Sequence, residues 1–86
     1  MVTVKVKIRF QLFAGMRDAA NTSHLEVEVQ TGTTLDDAVN LLLARNAGLH
    51  DWRGRIAFAR EDRLVNGRLV IDQPMQIDLL PPVSGG

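Results

Sequence analysis

Apolar and polar residues alternate along three segments of the chain. In residues 3–12 every even-numbered residue is apolar and every odd-numbered residue is polar or charged. The same two-residue period recurs in residues 24–30 and 75–79. This period is typical of a strand with one buried and one solvated face. We therefore predict three strands of a sheet, with a polar, glycine-containing break over residues 14–23 between the first two.

The solvated faces of the first two strands carry opposite charges. Lys5, Lys7 and Arg9 lie on the first strand, and Glu26 and Glu28 lie on the second. If the two strands form a hairpin, these residues can pair across it, which is favourable. The basic stripe is then a charge-balanced, solvated face. The alternative is a docking surface for an acidic partner.

The hydrophobic period changes at Thr34 to that of a helix. Thr34 is a good N-cap residue, and Asp36 and Asp37 suit the positive end of the helix dipole. Gly48 is predicted to end the helix. The spacing predicts an amphipathic helix of roughly three turns that packs on the apolar face of the sheet. Its apolar positions are Leu35, Ala38, Val39, Leu42 and Leu43.

Two shorter strand-like segments follow the helix, over residues 55–60 and 64–71. Asn66 and Gly67 are a favoured hairpin turn pair, which predicts two short strands around them. A single strand with a bend is the alternative. With strands before and after one main helix, the element order indicates an α+β fold in which one helix packs on a sheet.

Composition narrows the function classes. Ten basic and ten acidic side chains give a formal net charge of zero, and aromatic residues make up 5% of the chain. Nucleic acid is therefore not an expected partner. The absence of cysteine excludes disulfides, thiolate metal sites and cysteine nucleophiles. The N-terminal segment lacks the apolar block of a signal peptide and no segment could span a bilayer, so we expect a cytoplasmic location without a membrane partner.

The side chains show no recognisable catalytic or metal-binding pattern. His24 and His50 lie in separate segments without triad or metal-ligand spacing, and both are predicted to be structural. Trp52 is predicted to plug a loop against the core. The sequence therefore predicts no metal site.

Two apolar residues contradict the alternation. Phe13 continues the first strand onto its polar face, and Leu80 does the same at the end of the last strand. If those strands are parallel neighbours, the two side chains form one exposed apolar patch that Leu64 extends, and such patches mark partner sites. The alternative is a bend at Ala14 that brings Phe13 into the core.

The sequence closes with PPVSGG, residues 81–86. Pro81 and Pro82 cannot continue a sheet ladder, so we expect them to end the strand and carry the chain outward as a stiff, extended arm. Gly85 and Gly86 have no side chains to obstruct entry into a narrow channel. The predicted tail presents its terminal carboxylate to another protein.

These features resemble the MoaD family, the small subunits of molybdopterin synthase within the ubiquitin-like β-grasp sulfur carriers. The resemblance rests on PPVSGG, on the FA and RD pairs at residues 13–14 and 17–18, and on the outward Leu80 before the prolines. The related thiamine-pathway carriers share the terminal glycines but generally lack the prolines. One departure is Pro74, Met75 and Gln76, where family members commonly carry a glycine-aspartate-glutamate turn that partners can contact.

The resemblance implies a β-grasp domain over residues 1–80 and a tail over residues 81–86. The sheet would be mixed, with the first and last strands parallel and the main helix packed on one face. Partners would grip a patch formed by Phe13, Arg17, Leu64 and Leu80. The tail residues that would thread into a partner's site are Pro81, Pro82, Val83, Ser84 and Gly85.

The resemblance also implies acyl chemistry at Gly86. An E1-like adenylating enzyme (MoeB-like) would activate the terminal carboxylate with ATP and Mg, and a persulfide donor would convert it to a thiocarboxylate. The tail would then enter a large molybdopterin synthase subunit (MoaE-like), which carries the catalytic groups, and supply sulfur to cyclic pyranopterin monophosphate. The chain alone would not be an enzyme and would bind no cofactor.

Three other functions remain open at this point. The chain could be a sulfur carrier for the thiamine thiazole or another pathway, in which the same thiocarboxylate reaches a different synthase. It could be a ubiquitin-like protein modifier, which forms an isopeptide bond with a target lysine. It could also be a plain interaction module whose terminus stays unmodified.

Overall fold

The strands and helices described here lie within residues 4–81, the part of the chain that a computed structural model describes. In chain order these residues form β1 (Lys5–Leu12), α1 (Ala14–Ala20), β2 (His24–Gln30), β3 (Thr33–Thr34), α2 (Leu35–Arg45), a 3₁₀-helix (Ala47–Trp52), β4 (Ala57–Arg60), β5 (Arg63–Val65), β6 (Val70–Ile71) and β7 (Met75–Leu80).

Five of the strands form one mixed sheet in the order β2-β1-β7-β4-β5. β1 and β7 run parallel, and the other neighbouring strands of this sheet are antiparallel. A separate short ladder joins β3 and β6. The buried faces of α2 and of the sheet share one core. The predicted fold class is therefore confirmed, since the first and last strands are parallel and the main helix packs on one face.

The hairpin of β1 and β2 brings the opposite charges of the outer face together. Lys7 is directly opposite Glu28, and Arg9 is directly opposite Glu26. Opposite charges at such positions stabilise a pair of strands. The predicted hairpin is confirmed, and its register favours a charge-balanced, solvated face over a basic docking surface.

The core is formed by the inward residues of each strand and the apolar face of α2. Phe10, Ile8 and Ile77 are completely buried at its centre. The other members of the core are Val6, Leu12, Met16, Val27, Val29, Leu35, Ala38, Val39, Leu42, Leu43, Leu49, Ile71, Met75 and Leu79. Alternate residues of each strand point into this core, so the outer face of the sheet is not used for packing against α2.

α2 begins where its N-cap residue predicts. The Thr34 hydroxyl accepts a hydrogen bond from the Asp37 N–H at 3.3 Å, which satisfies one of the free donors of the first turn. The predicted end at Gly48 is wrong, because α2 ends at Arg45. Asn46 follows the helix, and its side-chain amide donates to the Leu42 carbonyl at 2.8 Å. No helix within residues 4–81 is long and apolar enough to cross a membrane.

The two short strands predicted around Asn66 and Gly67 are present as β5 and β6, but the predicted hairpin between them is wrong. β5 and β6, which flank this pair, do not pair with each other: β5 pairs with β4 and β6 pairs with β3. The segment instead caps α2, since the carbonyls of Gly67 and Leu69 each accept a backbone N–H of the first turn at 2.8 Å. Satisfying those donors requires the loop to lie against the helix and not within a hairpin.

The observed hairpin of this region joins β4 to β5 through Glu61 and Asp62. Both residues have positive φ angles, 51° and 65°. A two-residue turn with two positive φ angles matches the twist of the strands it joins, but glycine and asparagine are its usual residues. The turn therefore carries no recognisable signal in the sequence.

The break predicted over residues 14–23 contains a helix, α1 (Ala14–Ala20), which corrects that prediction. Met16 is its buried residue and belongs to the core. Alanine, methionine and arginine favour helix, and seven residues with one buried position leave no period to detect. α1 packs against the 3₁₀-helix.

The two short helices approach each other so closely at Gly48 that a larger residue does not fit. A Cβ atom added to Gly48 would lie 2.7 Å from the backbone carbonyl oxygen of Ala19. Because that oxygen is part of α1, one of the two helices would have to move. We expect Gly48→Ala to lower the free energy of unfolding by about 1–3 kcal/mol, measured by urea denaturation.

A second substitution identifies the atom that limits this contact. Ala19→Gly removes the Ala19 methyl group, which would lie 3.9 Å from the added Cβ, but keeps the carbonyl oxygen. The variant that combines both substitutions should therefore be at least as unstable as Gly48→Ala alone. Recovery of stability in the combined variant, or an unchanged stability of Gly48→Ala, would contradict a backbone clash.

Candidate partner-docking surface

The last strand, β7, ends in the middle of one edge of the sheet. β7 lies between β1 and β4, and Leu80 is its final residue. Pro81 follows directly and has no backbone N–H with which to extend the ladder. The predicted end of the strand at Pro81 is confirmed, and the chain leaves the sheet beside Leu80.

Apolar residues surround the point where β7 ends. Leu80 is opposite Ala57 on β4, and Ala59 is opposite Leu64 on β5. On the β1 side the parallel register continues to the position before Leu80, so Phe13 follows next to Leu80. We call these five residues, Phe13, Ala57, Ala59, Leu64 and Leu80, the end patch.

The larger side chains of the end patch are accessible to another protein. Leu64 is 76% exposed and Phe13 is 38% exposed. Leu80 is half-buried and Ala57 is exposed. Ala59 is buried, so the other four members supply the accessible apolar surface. Exposed apolar patches tend to mark partner sites. The role of the end patch in partner binding stays a prediction.

The start of α1 holds Phe13 at the surface. Phe13 keeps the extended conformation of β1, with φ −130° and ψ 154°, so its side chain follows the alternation to the outer face. Ala14 then turns the chain with a φ of 49°. The Phe13 carbonyl accepts the Met16 N–H at 3.1 Å, which begins the helix. The alternative in which Phe13 enters the core is therefore wrong.

Arg17 lies on α1 close to Phe13 in the chain. Its backbone N–H donates to the Phe13 carbonyl at 3.4 Å, and its side chain is exposed. The function of Arg17 in partner binding is a prediction that follows from the family resemblance.

Comparison with known proteins gives the family. A model of the ThiS family matches residues 10–86, which is most of the chain. The chain belongs to the ThiS family. The molybdopterin synthase sulfur carrier subunit of Drosophila erecta is 29% identical over 84 residues, which cover 94% of this chain and 92% of that protein. The resemblance to MoaD-type carriers is thereby confirmed.

Solved structures share the fold of this ThiS-family chain. SAMP1 from Haloferax volcanii matches with a TM-score of 0.80 and 24% identity, over 93% of this chain and 99% of that one. The complex of subunits 1 and 2 of molybdopterin-converting factor from Helicobacter pylori matches with a TM-score of 0.66 and 24% identity. That match covers 94% of this chain and 100% of the other. At these identities the likeness shows a common fold.

Most of the predicted tail of this ThiS-family chain lies outside the described residues. Of the six tail residues, Pro81 is described and is half-buried. Pro82, Val83, Ser84, Gly85 and Gly86 are not described, so their proposed roles stay predictions.

The histidines and the tryptophan lie away from the end of β7 in the chain. His24 is exposed at the start of β2, where its Nδ1 is 3.4 Å from the Ser23 hydroxyl, and His50 is exposed in the 3₁₀-helix. Trp52 is half-buried, packs against the core and faces Gly15 of α1. Its predicted role as a plug is confirmed, although it ends a 3₁₀-helix. Within residues 4–81 no three metal-ligand side chains lie close enough to hold a metal ion.

The departure at Pro74, Met75 and Gln76 is compatible with an ordinary strand start. Pro74 directly precedes β7, a position where proline costs no ladder hydrogen bond. Met75 pairs with Ile8 and joins the core, and Gln76 is exposed on the outer face. The departure therefore leaves β7 of this chain intact.

A shallow depression lies between Pro74 and Met75 at the start of β7 and the β4–β5 turn, and it reaches Asp78. Its volume is about 420 Å³ and its walls include Arg60, Glu61, Asp62, Gln76 and Asp78. The sequence places Asp78 on the outer face but gives no sign that β4 lies beside it. The proximity of Asp78 to β4 follows from the strand order of the sheet, in which β7 lies next to β4.

Proposed function

We propose that this chain is the sulfur carrier subunit of a molybdopterin synthase. The observation that carries the proposal is the end of β7 beside an exposed apolar patch, so that the segment after Pro81 starts at a surface that another protein can cover. The curated relative of the same function, matched over nearly its whole length, supports this choice. The sequence PPVSGG favours it over a thiamine-pathway carrier.

The chemistry proposed for the chain takes place at the carboxylate of Gly86. A carboxylate is a poor electrophile, so an E1-like adenylating enzyme (MoeB-like) joins it to AMP from ATP and releases pyrophosphate, with Mg balancing the phosphate charge. The terminal sulfur of a persulfide donor then attacks the acyl carbon and AMP leaves. A thiol reduces the resulting acyl disulfide, which leaves a thiocarboxylate on Gly86.

Delivery of the sulfur requires a second subunit. We propose that the end patch and Arg17 hold the large molybdopterin synthase subunit (MoaE-like) while the tail, residues 81–86, enters its active site. The structurally similar Helicobacter pylori protein was solved as a complex of two subunits, which supports such a partner. Residues 1–80 then act as the body that the partner grips, and the cyclic pyranopterin monophosphate is bound and converted by the large subunit in the cytoplasm.

Intact-mass spectrometry tests this proposal directly. The purified chain is incubated with its adenylating enzyme, ATP, Mg and a persulfide source, and we expect the exchange of one oxygen for one sulfur at the C-terminus. The modified chain should then form molybdopterin when the large subunit and the pterin precursor are added. If oxygen is exchanged for sulfur but no molybdopterin forms in this second step, the chain would be a carrier for the thiamine thiazole or another pathway.

Protein modification is the second candidate function, and the same measurement addresses it. SAMP1, a small archaeal modifier protein, shares the fold, but its 24% identity carries no function to this chain. A modifier would form a lysine-linked adduct in place of a stable thiocarboxylate. An unchanged mass under all conditions would leave only a plain interaction module and would refute the proposal.

A further inference from the structure

Asp78 places a carboxylate inside the surface that the partner is proposed to cover. It lies on the outer face of the central strand β7, two residues before Leu80 and directly opposite Ala59. Both of those residues belong to the end patch. Asp78 is already half-buried in the free chain, so a partner that covers the patch removes more water from the carboxylate.

The residues directly opposite Asp78 on the two neighbouring strands carry no charge. Its direct neighbours are Gln11 on β1 and Ala59 on β4. Arg9, the cation nearest along β1 on the same face, is opposite Glu26 on one side and Gln76 on the other. The amide of Gln11 has two N–H donors but no charge, whereas a carboxylate is charged and accepts several hydrogen bonds.

Space for an additional side chain is present next to this carboxylate. The depression of about 420 Å³ is bordered by Asp78 and Gln76 on β7 and by the β4–β5 turn. Its walls carry the carboxylates of Glu61, Asp62 and Asp78 against one guanidinium, that of Arg60. The excess of negative charge makes it complementary to a basic side chain.

We infer that Asp78 is a specificity-determining residue of the docking surface, which receives an arginine or lysine side chain from the large subunit. This inference rests on the proposed function and names the chemistry of the partner at the same surface. Burying a carboxylate without a partner is strongly unfavourable, whereas a charge-assisted hydrogen bond recovers that loss. A protein that has an apolar surface but no cation opposite Asp78 is thereby rejected.

The inference predicts the sign of a binding change. If the large subunit places a cation against Asp78, Asp78→Asn and Asp78→Ala should weaken binding about ten- to a hundredfold, the effect of losing one hydrogen bond to a charged group. If the surface facing Asp78 is apolar, removing the charge should strengthen binding. Isothermal titration of the unmodified chain with the large subunit from the same organism separates the two outcomes.

Two controls isolate the charge at residue 78. Asp72→Asn removes an exposed carboxylate before β7, outside the end patch, and should leave the affinity unchanged. The affinity of the wild-type chain should fall with rising salt more steeply than that of Asp78→Asn, because one charge pair is screened in the first case. The melting temperature of each variant shows whether it remains folded at the temperature of the titration.

The titration and the mass measurement together distinguish a failure of this inference from a failure of the proposed function. If the wild-type chain accepts sulfur and binds the large subunit, but Asp78→Ala binds equally well or more tightly, the inference is wrong and the function stands. If the wild-type chain neither accepts sulfur nor binds, the function itself is wrong and the inference fails with it.

Discussion

Deletion of Gly86 is expected to abolish formation of the thiocarboxylate while leaving the domain folded. The shortened chain still ends in a glycine carboxylate, that of Gly85, so the reacting group is chemically the same. It is displaced along the tail by about 3.5 Å, the length of one extended residue. Misplacement of a reacting group by 1 Å can cost about a hundredfold in rate, so we expect no detectable exchange of oxygen for sulfur by intact-mass spectrometry.

Two further measurements separate an effect on the stability of the domain from an effect on the position of the terminal carboxylate. Terminal residues seldom contribute to folding, so the melting temperature of the shortened chain should equal that of the wild type. A chain with one additional glycine after Gly86 is the matched control, because it moves the same carboxylate outward by the same distance and should fail equally. Normal thiocarboxylation of either variant would show that the position of the terminal carboxylate is not selected.

The strands with a clear two-residue period could be predicted from the sequence. β2 has the predicted bounds, and β1 and β7 lie where the alternation indicates. α2 was equally predictable because its apolar spacing and its N-cap, Thr34, indicate the same element. In these segments local pattern and tertiary packing agree, which is typical of the parts of a fold that carry the core.

The elements that could not be predicted depend on contacts with distant residues. α1 has one buried residue, Met16, and hence no hydrophobic period. Asn66 and Gly67 have the composition of a hairpin turn, but their segment is used to satisfy the backbone donors at the start of α2. The turn at Glu61 and Asp62 adopts positive φ angles in residues that seldom have them.

The residues of the candidate site also fall into two groups, those that the sequence identifies and those that only the structure brings together. Phe13 and Leu80 could be identified because each breaks the alternation at the end of a strand, an argument that needs only the sequence. Ala57, Ala59 and Asp78 could not, since their proximity follows from the insertion of β7 between β1 and β4. A strand order is a property of the whole sheet, so register was needed before Asp78 could be placed within the surface.

Phe13→Ala is expected to weaken binding of the large subunit far more than it weakens the fold. The side chain of Phe13 is 38% exposed and lies next to Leu80, where the tail begins. Buried aromatic anchors near the centre of an interface cost about 2–4 kcal/mol on truncation, which corresponds to roughly a thirty- to thousandfold loss of affinity. Isothermal titration with the large subunit measures this loss.

Phe10→Ala is the matched control, because it removes the same kind of side chain from the buried face of β1, the strand that Phe13 directly follows. Phe10 is completely buried, so its truncation should lower the free energy of unfolding by about 3–5 kcal/mol. Phe13→Ala should cost less, because Phe13 is 38% exposed and does not belong to the core cluster. If Phe13→Ala destabilised the chain as much as Phe10→Ala and kept full affinity, the end patch would be part of the fold and the partner would have to bind elsewhere. The opposite pattern, with affinity lost and stability kept, assigns the exposed end of β1 to the partner.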